Sequence, residues 1–90
     1  MAKYKLVIKR SAAKEIESID RKKTRQHVVA RIQELATNPR PHGCEKLSGK
    51  YPRFRIRQGQ FRILYEIKDG ELIVYVIKVA DRRDVYKHLT

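Results

Sequence analysis

Ninety residues carry 22 Lys and Arg against 10 Asp and Glu, a formal net charge of +12, and 41% of the residues are apolar. A chain of this length forms one domain, residues 1–90, burying about 60–65% of the surface its unfolded form exposes, which excludes a large enclosed active site; the apolar share excludes a disordered basic tail. The charge selects polyanionic partners: nucleic acid, the ribosome, an anionic membrane surface or an acidic protein.

Tyr4 to Lys9 has the β-branched and aromatic content of a short strand, and Ser11 offers a hydroxyl to cap a helix beginning near Ala12. Ala12, Ile16 and Ile19 then recur at i, i+4 and i+7, one buried stripe, while Lys14, Glu15, Glu17 and Ser18 face water. Asp20 is placed to cap a second helix. There Val28, Ile32 and Leu35 repeat the spacing, widened by Val29 and Ala36, until Asn38-Pro39 and Pro41 end it.

After His42-Gly43 the period changes from helical to alternating. Arg53, Arg55 and Arg57 interleave with Phe54 and Ile56, so one strand face is apolar and the other arginine. Gln58-Gly59-Gln60 supplies a turn, and Phe61, Ile63, Tyr65 and Ile67 alternate with Arg62, Leu64, Glu66 and Lys68 in the next strand. Asp69-Gly70 is a hairpin signal, and Leu72 to Val79, apolar on both faces apart from Lys78, reads as a central strand. Asp81 to Leu89 reads as a loop leading into a short C-terminal helix. The expected fold is α+β in the order β-α-α-β-β-β, a helical hairpin packed on one face of a small antiparallel sheet. The arginines are expected to line the other, open face.

From Lys46 to Arg62 the chain carries Lys46, Lys50, Arg53, Arg55, Arg57 and Arg62 with no acid among them, and Tyr51, Phe54 and Phe61 are interleaved. Guanidinium groups hold phosphate oxygens in bidentate geometry at any physiological pH, and aromatic rings stack on unpaired bases. Phe54 and Phe61 read first as core residues, whereas crowding Arg55, Arg57 and Arg62 on one sheet is a cost that an anionic ligand offsets. A second cluster, Asp81-Arg82-Arg83-Asp84-Val85-Tyr86, follows the central strand. Its Tyr86 fits equally as a ring sealing the end of the sheet or as a group contacting the ligand.

Other chemistries lack their residues. The lone Cys44 excludes an intrachain disulfide, a Cys-based zinc site and a Cys-x-x-Cys redox pair, and is consistent with a reducing, cytoplasmic setting. His27, His42 and His88 have no metal-ligand spacing, so neither metal nor other cofactor is expected. No glycine-rich phosphate loop precedes a helix. No apolar run approaches the roughly 20 residues of a membrane span, and Met1-Ala2-Lys3-Tyr4 lacks a signal-peptide stretch.

The order of elements, together with Ser11-Ala12-Ala13-Lys14, Asn38-Pro39, Lys46-Leu47-Ser48-Gly49, Phe54-Arg55-Ile56-Arg57, Phe61-Arg62-Ile63-Leu64-Tyr65 and Arg82-Arg83-Asp84-Val85-Tyr86, resembles the RelE/ParE superfamily of bacterial toxins, and more closely its RelE messenger-RNA interferase branch. The resemblance implies a type II toxin that enters the aminoacyl site of the 70S ribosome and cuts the mRNA there without a metal. It is held inactive by a RelB-like antitoxin, acidic and partly disordered when free, which also supplies the DNA binding. Its catalytic residues fall on Arg55, Arg62, Arg82 and Tyr86, with Lys46, Lys50, Arg53, Arg57 and Arg83 binding RNA or ribosome. Many relatives carry a histidine where this chain has Asp81, a departure that favours dependence on the ribosome. Two other readings are a ParE-like inhibitor of DNA gyrase and a passive RNA- or ribosome-binding module.

Overall fold

The computed structural model describes residues 3–82, and its first strand, β1 (Lys5–Ile8), runs directly into helix α1 (Arg10–Glu17). The Lys9 N–H still donates to the Val76 carbonyl at 2.9 Å while the Lys9 carbonyl already accepts from Ala13 at 2.9 Å. Sheet and helix share this residue, so α1 starts at Arg10 and Ser11 lies in its first turn instead of capping it. Helix α2 (Lys22–Glu34) likewise starts after Arg21 rather than Asp20, with no side-chain cap. The interhelical turn is closed from the other side, where Arg25 Nη1 donates to the Ile19 carbonyl at 2.9 Å. Beyond Glu34 the N–H groups of Thr37 and Asn38 both return to its carbonyl, and Pro39 prevents another turn.

Both apolar stripes are buried as their spacing predicts: Ala12, Ile16 and Ile19 from the first helix and its turn, Val28, Ile32 and Leu35 from the second. They pack on Phe54 and Ile56 of β3 (Arg53–Gln58), on Ile63, Tyr65 and Ile67 of β4 (Phe61–Lys68), and on Val74, Val76 and Val79 of β5 (Ile73–Asp81). Helix α1 contacts β5 and α2 contacts β3. The α+β class and the helical hairpin on one sheet face are as expected.

The sheet differs from the expectation in two respects. Among the described residues it has five strands in the order β1-β5-β4-β3-β2, because Glu45–Lys46 forms a short β2 against Arg55 and Phe54. It is also mixed rather than wholly antiparallel, since β1 pairs with β5 in parallel, Lys5 opposite Ile73 through Ile8 opposite Val76. A parallel neighbour requires a long crossover, and here everything from α1 to β4 serves as that connection.

The β4–β5 hairpin is also longer than Asp69-Gly70 suggests. Asp69–Glu71 forms a 3₁₀ turn, and Leu72, not glycine, takes the left-handed conformation at φ 54°. In β5 the register shifts between Leu64 opposite Lys78 and Tyr65 opposite Val76, which makes Ile77 an extra, bulged residue. Strict alternation from Val74 and Val76 would send Lys78 into the core. The bulge puts Val79 there instead, and Lys78 pairs with Glu15 of α1. Strand β5 extends through Asp81, and the C-terminal helix expected after it lies outside the described residues.

Candidate functional site

The sheet face opposite the helices is not fully open. Leu64 of β4 and Ala80 of β5 form a small second cluster there, covered by Leu47 from the β2–β3 connection. Around it the arginines separate by environment. Arg53, Arg55 and Arg57 project from alternate positions of β3, away from buried Phe54 and Ile56. Arg62 lies directly opposite Arg57 on β4 and next to Ala80 of β5. It shares that face, but at 3% exposure it lies beneath the surface instead of lining it.

The β3–β2 register sets how Arg57 and Arg62 face each other. Leu47 N–H donates to the Arg53 carbonyl at 2.8 Å, so the backbone groups of Arg53, Arg55 and Arg57 point toward β2 and away from β4. Arg57 and Arg62 therefore form a non-hydrogen-bonded cross-strand pair, the geometry in which opposed side chains come closest.

Acidic side chains that the basic run lacked in sequence arrive from neighbouring strands. Glu45 sits opposite Arg55 and ion-pairs with it, and Glu66 sits opposite Arg53 with Oε2 3.1 Å from Arg53 Nε. Arg57 is exposed and has no ion pair among the described residues. Both acids were visible in the sequence, but only the register reveals whom they face.

Tyr51 is 55% exposed, with the Arg53 guanidinium 5.2 Å and the Lys50 ammonium 6.0 Å from its ring centroid. Leu47 to Tyr51 and Arg53 line a recess of about 350 Å3 around it. Phe54 belongs to the core, its ring centroid 5.9 Å from that of Tyr65. Phe61 lies at the core margin and lines a cleft of about 520 Å3 between the interhelical turn and the β3–β4 turn, together with His27, Gln58 and Gln60. Lys46 is exposed on β2.

Arg82 is exposed at the end of β5, where its N–H donates to the Gln60 carbonyl at 2.6 Å. That bond brings the start of the second basic cluster to the β3–β4 turn, beside Arg57 and Arg62. Arg83 and Tyr86 lie outside the described residues. Among the described residues no group of three or more His, Cys, Asp or Glu side chains could hold a metal ion, and no helix is long and apolar enough to cross a membrane.

A family model described as the ParE toxin of the type II toxin-antitoxin system parDE matches residues 6–86. The chain belongs to this ParE toxin family. Within the wider RelE/ParE superfamily, its fold is similar to the toxin-antitoxin complex RelBE2 from Mycobacterium tuberculosis, at 22% identity over 89% of this chain and 99% of that one, with a TM-score of 0.77. The archaeal RelE-RelB complex from Pyrococcus horikoshii gives a TM-score of 0.79 at 22% identity, covering 91% and 97% of the two chains. The intact E. coli RelBE complex gives 0.74 at 25% identity, covering 87% and 95%. No curated protein sequence matches the chain. This ParE-family chain is thus a toxin of a type II toxin-antitoxin system, and these solved relatives are complexes of toxin with antitoxin.

Proposed function

We propose that this toxin is a ribosome-dependent endoribonuclease that cleaves mRNA in the aminoacyl site and arrests translation in the cytoplasm. The observation carrying this reading is the juxtaposition of Arg57 and buried Arg62 at the end of the β3 arginine face, with Arg82 fastened to the adjoining turn. Guanidinium groups gathered at one end of a strand hold phosphate oxygens by paired, charge-assisted hydrogen bonds.

RNA carries its own nucleophile. Its 2′-oxygen attacks the adjacent phosphorus, a 2′,3′-cyclic phosphate forms, and the 5′-oxygen leaves with a proton. The protein has only to orient the strand and stabilise charge on the pentacoordinate phosphorus. In this reading Arg55 holds the scissile phosphate and Arg62, from beneath the face, stabilises its developing charge, while Arg82 assists the departing 5′-oxygen and Tyr86 orients the flanking base. Lys46, Lys50, Arg53, Arg57 and Arg83 contact RNA or ribosome. Arginine stays protonated and cannot accept the 2′-proton at neutral pH, and Asp81 stands where many relatives have histidine, so ribosomal groups complete the proton transfers. A RelB-like acidic antitoxin, steered by the +12 charge, covers the same surface.

Primer extension on mRNA programmed into 70S ribosomes, with naked RNA in parallel, tests the reading. Cleavage at the aminoacyl-site codon on ribosomes alone is the expected result. Inhibition of DNA gyrase without RNA chemistry is a second reading, favoured by the match to the ParE toxin model. Intact mRNA on ribosomes, with supercoiling by gyrase blocked, would replace the first reading by the second.

A further inference from the structure

Where β2 ends, the edge of β3 opens into a recess of about 410 Å3 lined by Arg31, Gly43, Glu45, Arg55 and Arg57. Continuing the β2–β3 register past Glu45 would set Gly43 opposite Arg57, but Gly43, at φ 91°, turns the chain aside. Glycine suits that position because its backbone enters this region without a Cβ penalty. Beyond Glu45, β3 therefore has no strand neighbour on this side among the described residues. Helix α2 contacts β3 and supplies Arg31, so arginines from both layers line the same recess at the edge.

Among the described residues the lining contains three arginines and one carboxylate. Glu45 is engaged by Arg55, and Arg31 Nη1 lies 3.1 Å from Oε2 of Glu34, whose side chain is 64% exposed. The Arg31 side chain is 22% exposed and Glu34 is the open end of this i, i+3 pair, so the carboxylate can swing into solvent and leave the guanidinium to another acceptor. Arg57, with no ion pair among the described residues, leaves the recess with a net positive charge.

We infer that this recess is a phosphodiester subsite, holding a backbone phosphate of a single RNA strand that continues from the β3 arginine face around the sheet edge to Arg31. The inference rests on the RNA reading of that face. An acidic peptide would bring the same charge, but peptide docking draws on apolar anchors, and among the described residues no apolar side chain lines the recess. Isolated phosphates need only the guanidinium forks.

The test uses the full chain and a single-stranded RNA oligonucleotide bearing 2′-O-methyl groups, which remove the nucleophile and separate binding from cleavage. Fluorescence anisotropy over a range of NaCl gives affinity and salt dependence for wild type, Arg31→Gln, Arg31→Lys and Glu45→Gln, and the acidic antitoxin is titrated in parallel. Arg31→Gln is expected to weaken RNA binding about tenfold and to lower the slope of log affinity against log salt by about 0.7, the value for one phosphate contact on a single strand. Arg31→Lys should keep that slope and recover part of the affinity, because an ammonium supplies charge without the fork. Glu45→Gln should tighten binding, a change of opposite sign that loss of folding does not mimic.

Equal RNA affinity and slope in wild type and Arg31→Gln would overturn the subsite. So would a loss confined to antitoxin binding, which would assign the recess to an acidic peptide, or absence of RNA binding by wild type. Arg31-dependent RNA binding by a protein that leaves ribosomal mRNA intact would support the subsite while removing the nuclease reading.

Discussion

The Tyr65 hydroxyl donates a 2.7 Å hydrogen bond to the carbonyl of Pro39, joining the middle of β4 to the loop that follows α2. Tyr65 is fully buried, and its ring stacks with Phe54. One side chain thus completes the core and holds the loop leading to β2, from which Glu45 reaches Arg55.

Replacing Tyr65 by Phe keeps the ring and strands the Pro39 carbonyl. The expected loss is about 1–3 kcal/mol of unfolding free energy, read from denaturant titration. Burial also pushes the Tyr65 hydroxyl above the ordinary value of 10.0, with Cys44 nearby adding to the shift. A group raised in the folded state contributes stability that is complete below its unfolded value and lost as pH rises through the folded one. Wild type should therefore lose stability above about pH 10 more steeply than Tyr65→Phe; parallel slopes at alkaline pH would refute the assignment.

Asp69 ties the β4–β5 turn to two distant segments. Arg40 Nη2 donates to Oδ2 at 2.8 Å and the Tyr4 hydroxyl to Oδ1 at 2.6 Å. Arg40 first, then Tyr4, hold this carboxyl at about 2, below its ordinary 3.8. Its contribution is present above the unfolded value and is lost as pH falls through the folded one. Melting temperature measured between pH 5 and pH 2 should fall less steeply in Asp69→Asn than in wild type, because the amide has no proton to gain.

Glu15 finishes the edge of β5 that β1 leaves uncovered. Its Oε1 accepts from the Val79 N–H at 3.0 Å and its Oε2 pairs with the Lys78 ammonium. Glu15→Ala removes both contacts and should destabilise by about 1–2 kcal/mol. Glu15→Gln keeps an acceptor for Val79 and should lose less than half of that; equal losses in urea unfolding would show that the backbone bond contributes nothing.

Arg82 and Arg62 separate a functional from a structural effect. Arg82 is exposed and its bond to Gln60 uses only backbone, so Arg82→Ala should reduce ribosomal mRNA cleavage about 10²–10³-fold with an unchanged melting temperature. Arg62 is buried, so Arg62→Ala should lower both cleavage and stability. Full cleavage by Arg82→Ala in a single-turnover ribosome assay would remove Arg82 from the chemistry.

Periodicity makes the layers of this fold legible. Ala12, Ile16 and Ile19, and Val28, Ile32 and Leu35, are buried because i, i+4, i+7 spacing puts them on one helix face, and no tertiary contact has to be known to see it. The same holds for Phe54 and Ile56 against the three β3 arginines. The motifs from Ser11 to Tyr86 also carried the superfamily, which the match over residues 6–86 supports.

What chain-local patterns do not encode is which segments meet. The parallel β1–β5 pair joins residues more than sixty positions apart, and the Ile77 bulge depends on where Lys78 would otherwise point. The site follows the same division. Sequence alone determined that β3 would display a row of arginines on a +12 chain. Tertiary structure decided that Glu45 and Glu66 engage two of them, that Arg62 sinks beside Arg57, and that Arg31 joins the row from the helical layer. The reason is physical: side-chain direction follows from the local backbone repeat, whereas charge pairing depends on strand register and layer packing, which are set by the chain as a whole.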